Sequence, residues 1–440
     1  MALLSWSLHG DGKKVIPGRV VTPDERLAWP RMAGLGAQHV IAMFSATTLV
    51  PVLTGFPVST TLFFSGVGTL LFLVITRNKV PSYTGSAFAF IAPVLAAQAQ
   101  GGYAAALCGL VATGVALIIT GLIINQVGYQ IIDRVAPPVV TGTIVTMVGL
   151  NLAPVAWTNY QDDGLLASVT LAVVVLVSVL LRGFISRLAV FIGVAVGYLL
   201  AAGLGRVELD PVRDAAWLGW PDFTAPTFSL QAILLIVPAV LLVLVVENAA
   251  HVKAVSAMCE RNLDSSIGNA VIGDGVATTV SGMFGGSGQI TYAENIGVMA
   301  LTRIYSTAAY MIAAGIAIAL SICPKFGALV GAVPLGVLGG VSTILFGMIA
   351  CMGLRMYVAA EVDFRDPVNL TTAALGLIVG AANYTLTLGD YVFAGIALSG
   401  VGTIVVYHLL RFAADRAEPG EPGQHAAAPA SPALDVPKEF

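Results

Sequence analysis

Charge is scarce in this chain of 440 residues. Asp, Glu, Lys and Arg make up only 10% of it, while 57% of the residues are apolar. Soluble domains carry about 25% charged residues, so a soluble globular protein is excluded. The 21 basic residues are outnumbered by 24 acids, giving a net charge of −3. No basic surface for nucleic acid is implied. Cysteine is rare as well: Cys108, Cys259, Cys323 and Cys351 share no metal or redox spacing and read as small hydrophobes in or beside apolar runs. The opening stretch, MALLSWSLHGDGKKVIPGRVVTPDERLAWPRM, lacks the apolar core of a cleavable signal peptide, so none is expected.

What the chain does have is long apolar runs, from the first hundred residues almost to the end. The expected fold is an all-α polytopic membrane protein, because helices satisfy their own backbone groups in lipid. Clear spans cover 33–53, 58–76, 104–124, 135–156, 165–181, 185–204, 229–250, 267–284, 305–322, 328–353, 368–386 and 389–410. Segments 80–98 and 289–302 are too short or too polar for ordinary spans. Counting them gives fourteen transmembrane segments, with both termini on one side. With that side cytoplasmic, only Arg206, Arg213 and Lys325 of the 21 basic residues fall outside. An asymmetry this steep agrees with both the count and the orientation. The Ala-, Pro-, Glu- and Gly-rich end after residue 412 reads as a disordered cytoplasmic tail.

The two odd segments, VPSYTGSAFAFIAPV at 80–94 and GGSGQITYAENIGVMALTR at 285–303, each begin extended and then turn helical. They stand third and tenth among the fourteen, so they are equivalent members of two seven-span halves with short strands in spans 3 and 10. Seven is odd, so the halves are inverted relative to each other. Paired, glycine-interrupted segments in matching positions point to a transporter's binding site. A half-helix starting at mid-membrane leaves its first N–H groups unpaired. Phe88 and Ala293, at the two strand-to-helix junctions, would present such donors. The bland alternative is a pair of structural re-entrant loops.

Against this scarcity of charge, Glu247 and His251 share one face of VVENAAHV, and Glu294 lies at the second half-helix start. Ionisable groups at membrane depth are functional candidates. Two carboxylates accept hydrogen bonds and the half-helix amides donate them, which suits a flat ligand with alternating N–H and C=O groups such as uracil. The alternative for Glu247 and His251 is a buried pair that only packs helices. One His and two Glu from distant spans do not make a zinc set, and no cofactor is expected beyond a coupling proton. His39 and Gln38, in the first span, and Asn295 are weaker supporting candidates. Asp274 and Asn295 are expected to hydrogen-bond broken-helix backbone.

At these residues the chain resembles the nucleobase–ascorbate transporter family, also called the nucleobase cation symporter 2 family, in its bacterial uracil and pyrimidine permease branch. Glu294-Asn295-Ile296-Gly297 through Thr302-Arg303 matches the family signature of Gln, Glu or Pro followed by N-x-G-x4-T. Gln38-His39, VPSYTGSAFAF, VVTPDERL and VENAAHVKAVSAM support it, over about residues 20–412. The resemblance implies fourteen spans in two inverted repeats, regrouped as core and gate domains. The core takes 31–126 and 229–323, the gate takes 127–228 and 324–412, with cytoplasmic segments at 1–30 and 413–440. It implies substrate contacts at Glu247, Glu294, Phe88 and Ala293, and proton coupling at His251 and Glu247. It also implies a homodimer embedded in lipid of the bacterial inner membrane. Two positions depart from the pattern: Ala293 replaces a glycine, and Asn248-Ala249-Ala250 stands where relatives often carry one.

The function expected is proton-coupled uracil import, with other pyrimidines such as thymine included, and no enzymatic activity. A Glu at position 294 suits ring N–H groups, whereas the Gln typical of xanthine and urate carriers also donates to purine nitrogens. A purine symporter on the same fold is the alternative. A sulfate or bicarbonate carrier or channel is another, which the two acids disfavour. An integral-membrane enzyme is more distant still.

Overall fold

The computed structural model describes residues 5–388, 391–393 and 395–417. Before the first long helix, β1 (Ser7–Leu8) pairs in parallel with β2 (Glu25–Arg26). Then come α1 (Trp29–Thr54), α2 (Val58–Ile75), β3 (Thr84–Ser86), a 3-10 turn at Phe88–Phe90 and α3 (Ile91–Val127). The first half continues with α4 (Gln130–Val135), α5 (Pro138–Asn151), α6 (Ala153–Asp162), α7 (Gly164–Leu180), α8 (Phe184–Arg187), α9 (Ala189–Gly203) and α10 (Asp210–Asp214). The second half begins with α11 (Leu230–Met258), α12 (Ile267–Met283), β4 (Gln289–Thr291), α13 (Glu294–Thr302) and α14 (Thr307–Ser321). It ends with α15 (Pro324–Gly331), α16 (Leu335–Ala359), α17 (Pro367–Ala381), the hairpin β5 (Leu386–Leu388) and β6 (Tyr391–Phe393), and α18 (Gly395–Ala417).

Among the described residues seven helices are long and apolar enough to cross a membrane, or eight if α14 and α15, bent by 86°, count as one span. The chain is therefore a mostly helical, multi-pass integral membrane protein. Each of the fourteen expected segments contains a helix, but several helices are short: α7, α9 and α17 have 17, 15 and 15 residues. The boundary expected near 99–103 is a single residue. Gly102 breaks α3 with φ +77°, a conformation that glycine reaches without a Cβ penalty. Large apolar side chains such as Val179, Leu199 and Val358 cover the outer helix faces and are largely open to the surroundings, as lipid-facing positions should be.

The helices pack as two groups. In one, α12 lies against α3 and α2, α11 against α3, and α14 against α2 and α1. In the other, α16 lies against α5, α6 and α7, α17 against α5 and α18, and α7 against α9.

The N-terminal segment is folded onto the first group. Val21 bridges Ile304, Trp6 Nε1 donates to Thr307 Oγ1 at 2.7 Å, and Arg261 pairs with Asp24 at 3.0 Å. Burial would raise the Asp24 carboxyl, but the Thr22 hydroxyl and the Arg261 guanidinium outweigh it and hold it below the usual range. Of the tail expected over 413–440, residues 413–417 extend α18 and the remainder lies outside the described residues.

Candidate functional site

The two odd segments meet. β3 and β4 form an antiparallel ladder with Thr84 opposite Thr291, Gly85 opposite Ile290 and Ser86 opposite Gln289, all six buried. Ala87 N–H donates to Gly288 O at 3.1 Å and Tyr292 N–H to Tyr83 O at 3.0 Å, extending it at both ends. Gly85 is required here, since a Cβ would sit 2.6 Å from the Tyr292 hydroxyl.

Two strands leave outer backbone groups that no water reaches at this depth, and hydroxyls satisfy them. Thr69 Oγ1, on α2, accepts from Thr84 N–H at 3.0 Å, while Ser65 Oγ donates to Thr84 O at 2.7 Å. Across the ladder, Thr278 Oγ1 on α12 accepts from Gln289 N–H and donates to Gln289 O, both at 3.0 Å. Tyr292 Oη donates to Ser86 O and accepts from Thr47 Oγ1, each at 3.0 Å. Beyond the ladder the chain turns helical on both sides, at Phe88 and at Glu294. Among the described residues no protein acceptor takes the N–H of Phe88 or of Ala293.

Helix α11 brings the acids to these starts, packing against the Phe88 turn, β4 and α13. Glu247, half-buried on α11, lies within Coulombic range of both Glu294 and Asp274. Glu294 and Ala293 both expose surface, although protein atoms crowd around the Glu294 carboxyl. His251, one turn beyond Glu247, is 3% exposed, and among the described residues neither ring nitrogen has a hydrogen-bond partner within normal geometry. The Pro81 carbonyl lies nearby, outside that geometry.

Asp274 does hold broken-segment backbone: its Oδ2 accepts from Thr291 N–H at 3.1 Å and from Asn248 Nδ2 at 2.6 Å. Asn295 does not. It is fully buried in the first turn of α13, and neither side-chain polar atom has a partner among the described residues, because that turn points its side chain into packed interior. His39 is buried with its ring centroid 4.4 Å from that of Tyr310, which makes it part of the α1–α14 packing. Gln38 is half-buried beside it; α1 packs against α13, but no hydrogen bond or ion pair among the described residues ties either side chain to the acids. Sequence reasoning missed Asn248, Thr69 and Thr278. An amide between Glu247 and His251 was visible in the sequence; single threonines on apolar spans carry no such signal.

The Permease family profile matches residues 31–389. An Escherichia coli (strain K12) protein provisionally named pyrimidine permease RutG is 44% identical, over 89% of this chain and 92% of its own length. A uracil permease of Bacillus caldolyticus is 40% identical over 86% and 91%. Among solved structures, the murine Solute Carrier 26 member A9 anion transporter in its inward-facing state superposes with a TM-score of 0.67 at 12% identity, covering 92% of this chain and 70% of that one. The transmembrane domain of the cyanobacterial bicarbonate transporter BicA gives 0.62 at 16%, covering 86% and 96%. At such low identity these two speak for the fold alone. The chain belongs to the Permease family, in the nucleobase-transporting branch of uracil and pyrimidine permeases that its motifs resemble.

Proposed function

We propose that this protein imports uracil across the bacterial inner membrane, in symport with protons, by alternating access. The observation that carries the reading is the convergence of Glu294 and the Glu247-bearing helix on two half-helix starts whose Phe88 and Ala293 N–H groups have no acceptor among the described residues. Uracil offers two ring N–H donors to the acids and two carbonyls to the amides. The named uracil and pyrimidine permeases among its relatives support the same substrate.

Fourteen spans in two inverted repeats, grouped as core and gate, are the architecture we propose for this cycle. Helix packing supports it. Numbering the expected spans in order, contact between α3 and α12 (spans 4 and 9) has its counterpart in α14 and α2 (spans 11 and 2). Contact between α16 and α7 (12 and 6) likewise answers that between α5 and α17 (5 and 13). The matching roles of Thr69 and Thr278 agree with such a repeat. Both termini are cytoplasmic in this reading, as the distribution of basic residues implies. The protein works as a homodimer.

His251 links the proton to transport through the helix face it shares with Glu247. Resemblance to anion carriers favours one other reading, anion transport on this fold. Two carboxylates at the proposed site would repel such a ligand, so uracil is preferred.

The test is uptake of labelled uracil into proteoliposomes, competed by a panel of nucleobases and anions, with and without a pH gradient. Concentrative, pyrimidine-competed uptake that collapses with the gradient is expected, and His251→Ala should keep uracil binding while losing accumulation. Uptake driven equally well without the gradient would end the proton-coupled reading, and competition by sulfate or bicarbonate instead of pyrimidines would favour the anion carrier.

A further inference from the structure

Two outer crossings join the helix groups: residues 204–229, between α9 and α11, and residues 322–334, between α14 and α16. They are bound to each other. Lys325 N–H donates to Ala216 O at 3.1 Å and Gly219 N–H donates to Ile322 O at 3.0 Å. The Lys325 ammonium donates to the carbonyls of Val212 at 2.8 Å and Arg213 at 3.1 Å, and lies 5.2 Å from the Trp217 ring centroid. One side chain thus satisfies two backbone acceptors and covers an exposed indole, each a charge-assisted contact.

The first crossing is fastened in turn to the group containing α2, α3 and α12. Thr60 Oγ1 donates to Asp222 O at 2.6 Å, Thr224 N–H to Phe284 O at 3.1 Å and Thr227 N–H to Ala104 O at 2.9 Å. Beyond Lys325, α15 walls an apolar crevice of about 400 Å³ between α1 and the other group, which touch across it where Phe44 packs edge-on against Phe191. Phe44 and Thr48 of α1, Phe191 and Tyr198 of α9, Leu329 of α15 and Val341 of α16 line it. Close-packed helices cannot shift without free volume, and here it lies directly behind the linker helix.

We propose that Lys325 is a positioning residue that locks the two outer crossings into one joint, which moves as a single body when the helix groups rock against each other. Separate linkers would let the groups twist as well as rock; a joined pair restricts them to one motion, with the crevice as clearance for α15. The inference rests on the alternating-access reading of transport.

Two measurements test it. In Lys325→Met, hydrogen exchange should accelerate on the order of tenfold in both crossings together, since both lose contacts to one charge. Equilibrium uracil binding should stay at the wild-type level while the uptake rate falls severalfold, and Lys325→Arg, which keeps the donors, should restore both. Acceleration in only one crossing, or in neither, overturns the joint. This readout needs no substrate, so it decides the joint even if the wild-type protein binds no uracil, a result that would instead sink the transport reading.

The second measurement joins Ala216→Cys to the native Cys323 with a short bifunctional thiol reagent, in a background with Cys108, Cys259 and Cys351 replaced by alanine. If the crossings travel as one body, linked protein should transport as fast as unlinked protein. Loss of uptake with uracil binding retained would mean that they move apart during the cycle, and the joint would be refuted.

Discussion

β3 and β4 are built to the same plan, but the helix starts beyond them differ in chemistry. Each strand is three buried residues, each has a threonine from the preceding helix on its outer N–H, Thr69 in one case and Thr278 in the other, and each leads into a helix start. The first start is Phe88-Ala89-Phe90, with no polar side chain. The second is Glu294-Asn295, faced by Glu247 and braced by Asp274 and Asn248. Backbone architecture is thus duplicated while the titratable chemistry sits in one half, between residues 247 and 295. Exposed backbone in a membrane is costly wherever it occurs, so both segments need the same hydroxyl support. A ligand needs its acceptors only once.

The largest effect that would break this contrast is at Glu294. Replacing it by Gln puts a donor where an acceptor is required, so uracil affinity should fall by roughly a hundredfold or more and selectivity should shift toward purines. Competition binding with uracil and xanthine reads both changes. Unaltered affinity and selectivity would remove Glu294 from the site.

A smaller effect sharpens the shared part. Thr69→Val and Thr278→Val each strand the backbone N–H of one strand, so each should cost about 1–3 kcal/mol of stability. Thermal unfolding in detergent should show similar losses for the two. If one variant melts like wild type while the other does not, the two segments are not equivalent.

Smaller still is Asn248→Ala, which takes away one of two donors on Asp274 Oδ2 and leaves Thr291 N–H. A severalfold loss of uracil affinity, corresponding to about 1 kcal/mol, is expected in isothermal titration. An unchanged isotherm would show that Asp274 holds β4 without help from α11.

Much of this arrangement was legible in the sequence because it rests on residues that are out of place. Glu247, His251 and Glu294 stand out from apolar surroundings, and the Gly- and Ser-rich openings of the two segments mark broken helices. The pairing of those segments in one ladder was not legible, since three-residue strands separated by two hundred positions carry no periodicity of their own. Gly102 could not be told from other glycines as the break in α3. The opposite fates of Asp274 and Asn295 were equally hidden: both are polar residues near a broken helix, and only the direction of the first turn of α13 separates them. His39 illustrates the reverse case, a residue conspicuous in an apolar helix that the structure packs against Tyr310.

Equilibrium binding of labelled uracil to the purified protein, compared with Glu247→Ala, bears most directly on the site itself. Wild type should bind saturably, with uracil displaced by unlabelled pyrimidine and not by bicarbonate or sulfate. The variant, melting at a temperature close to that of wild type, should show no saturable binding, because one of the two acids proposed to accept from the uracil ring N–H groups is gone. Wild-type affinity in a folded Glu247→Ala protein would contradict the proposed site.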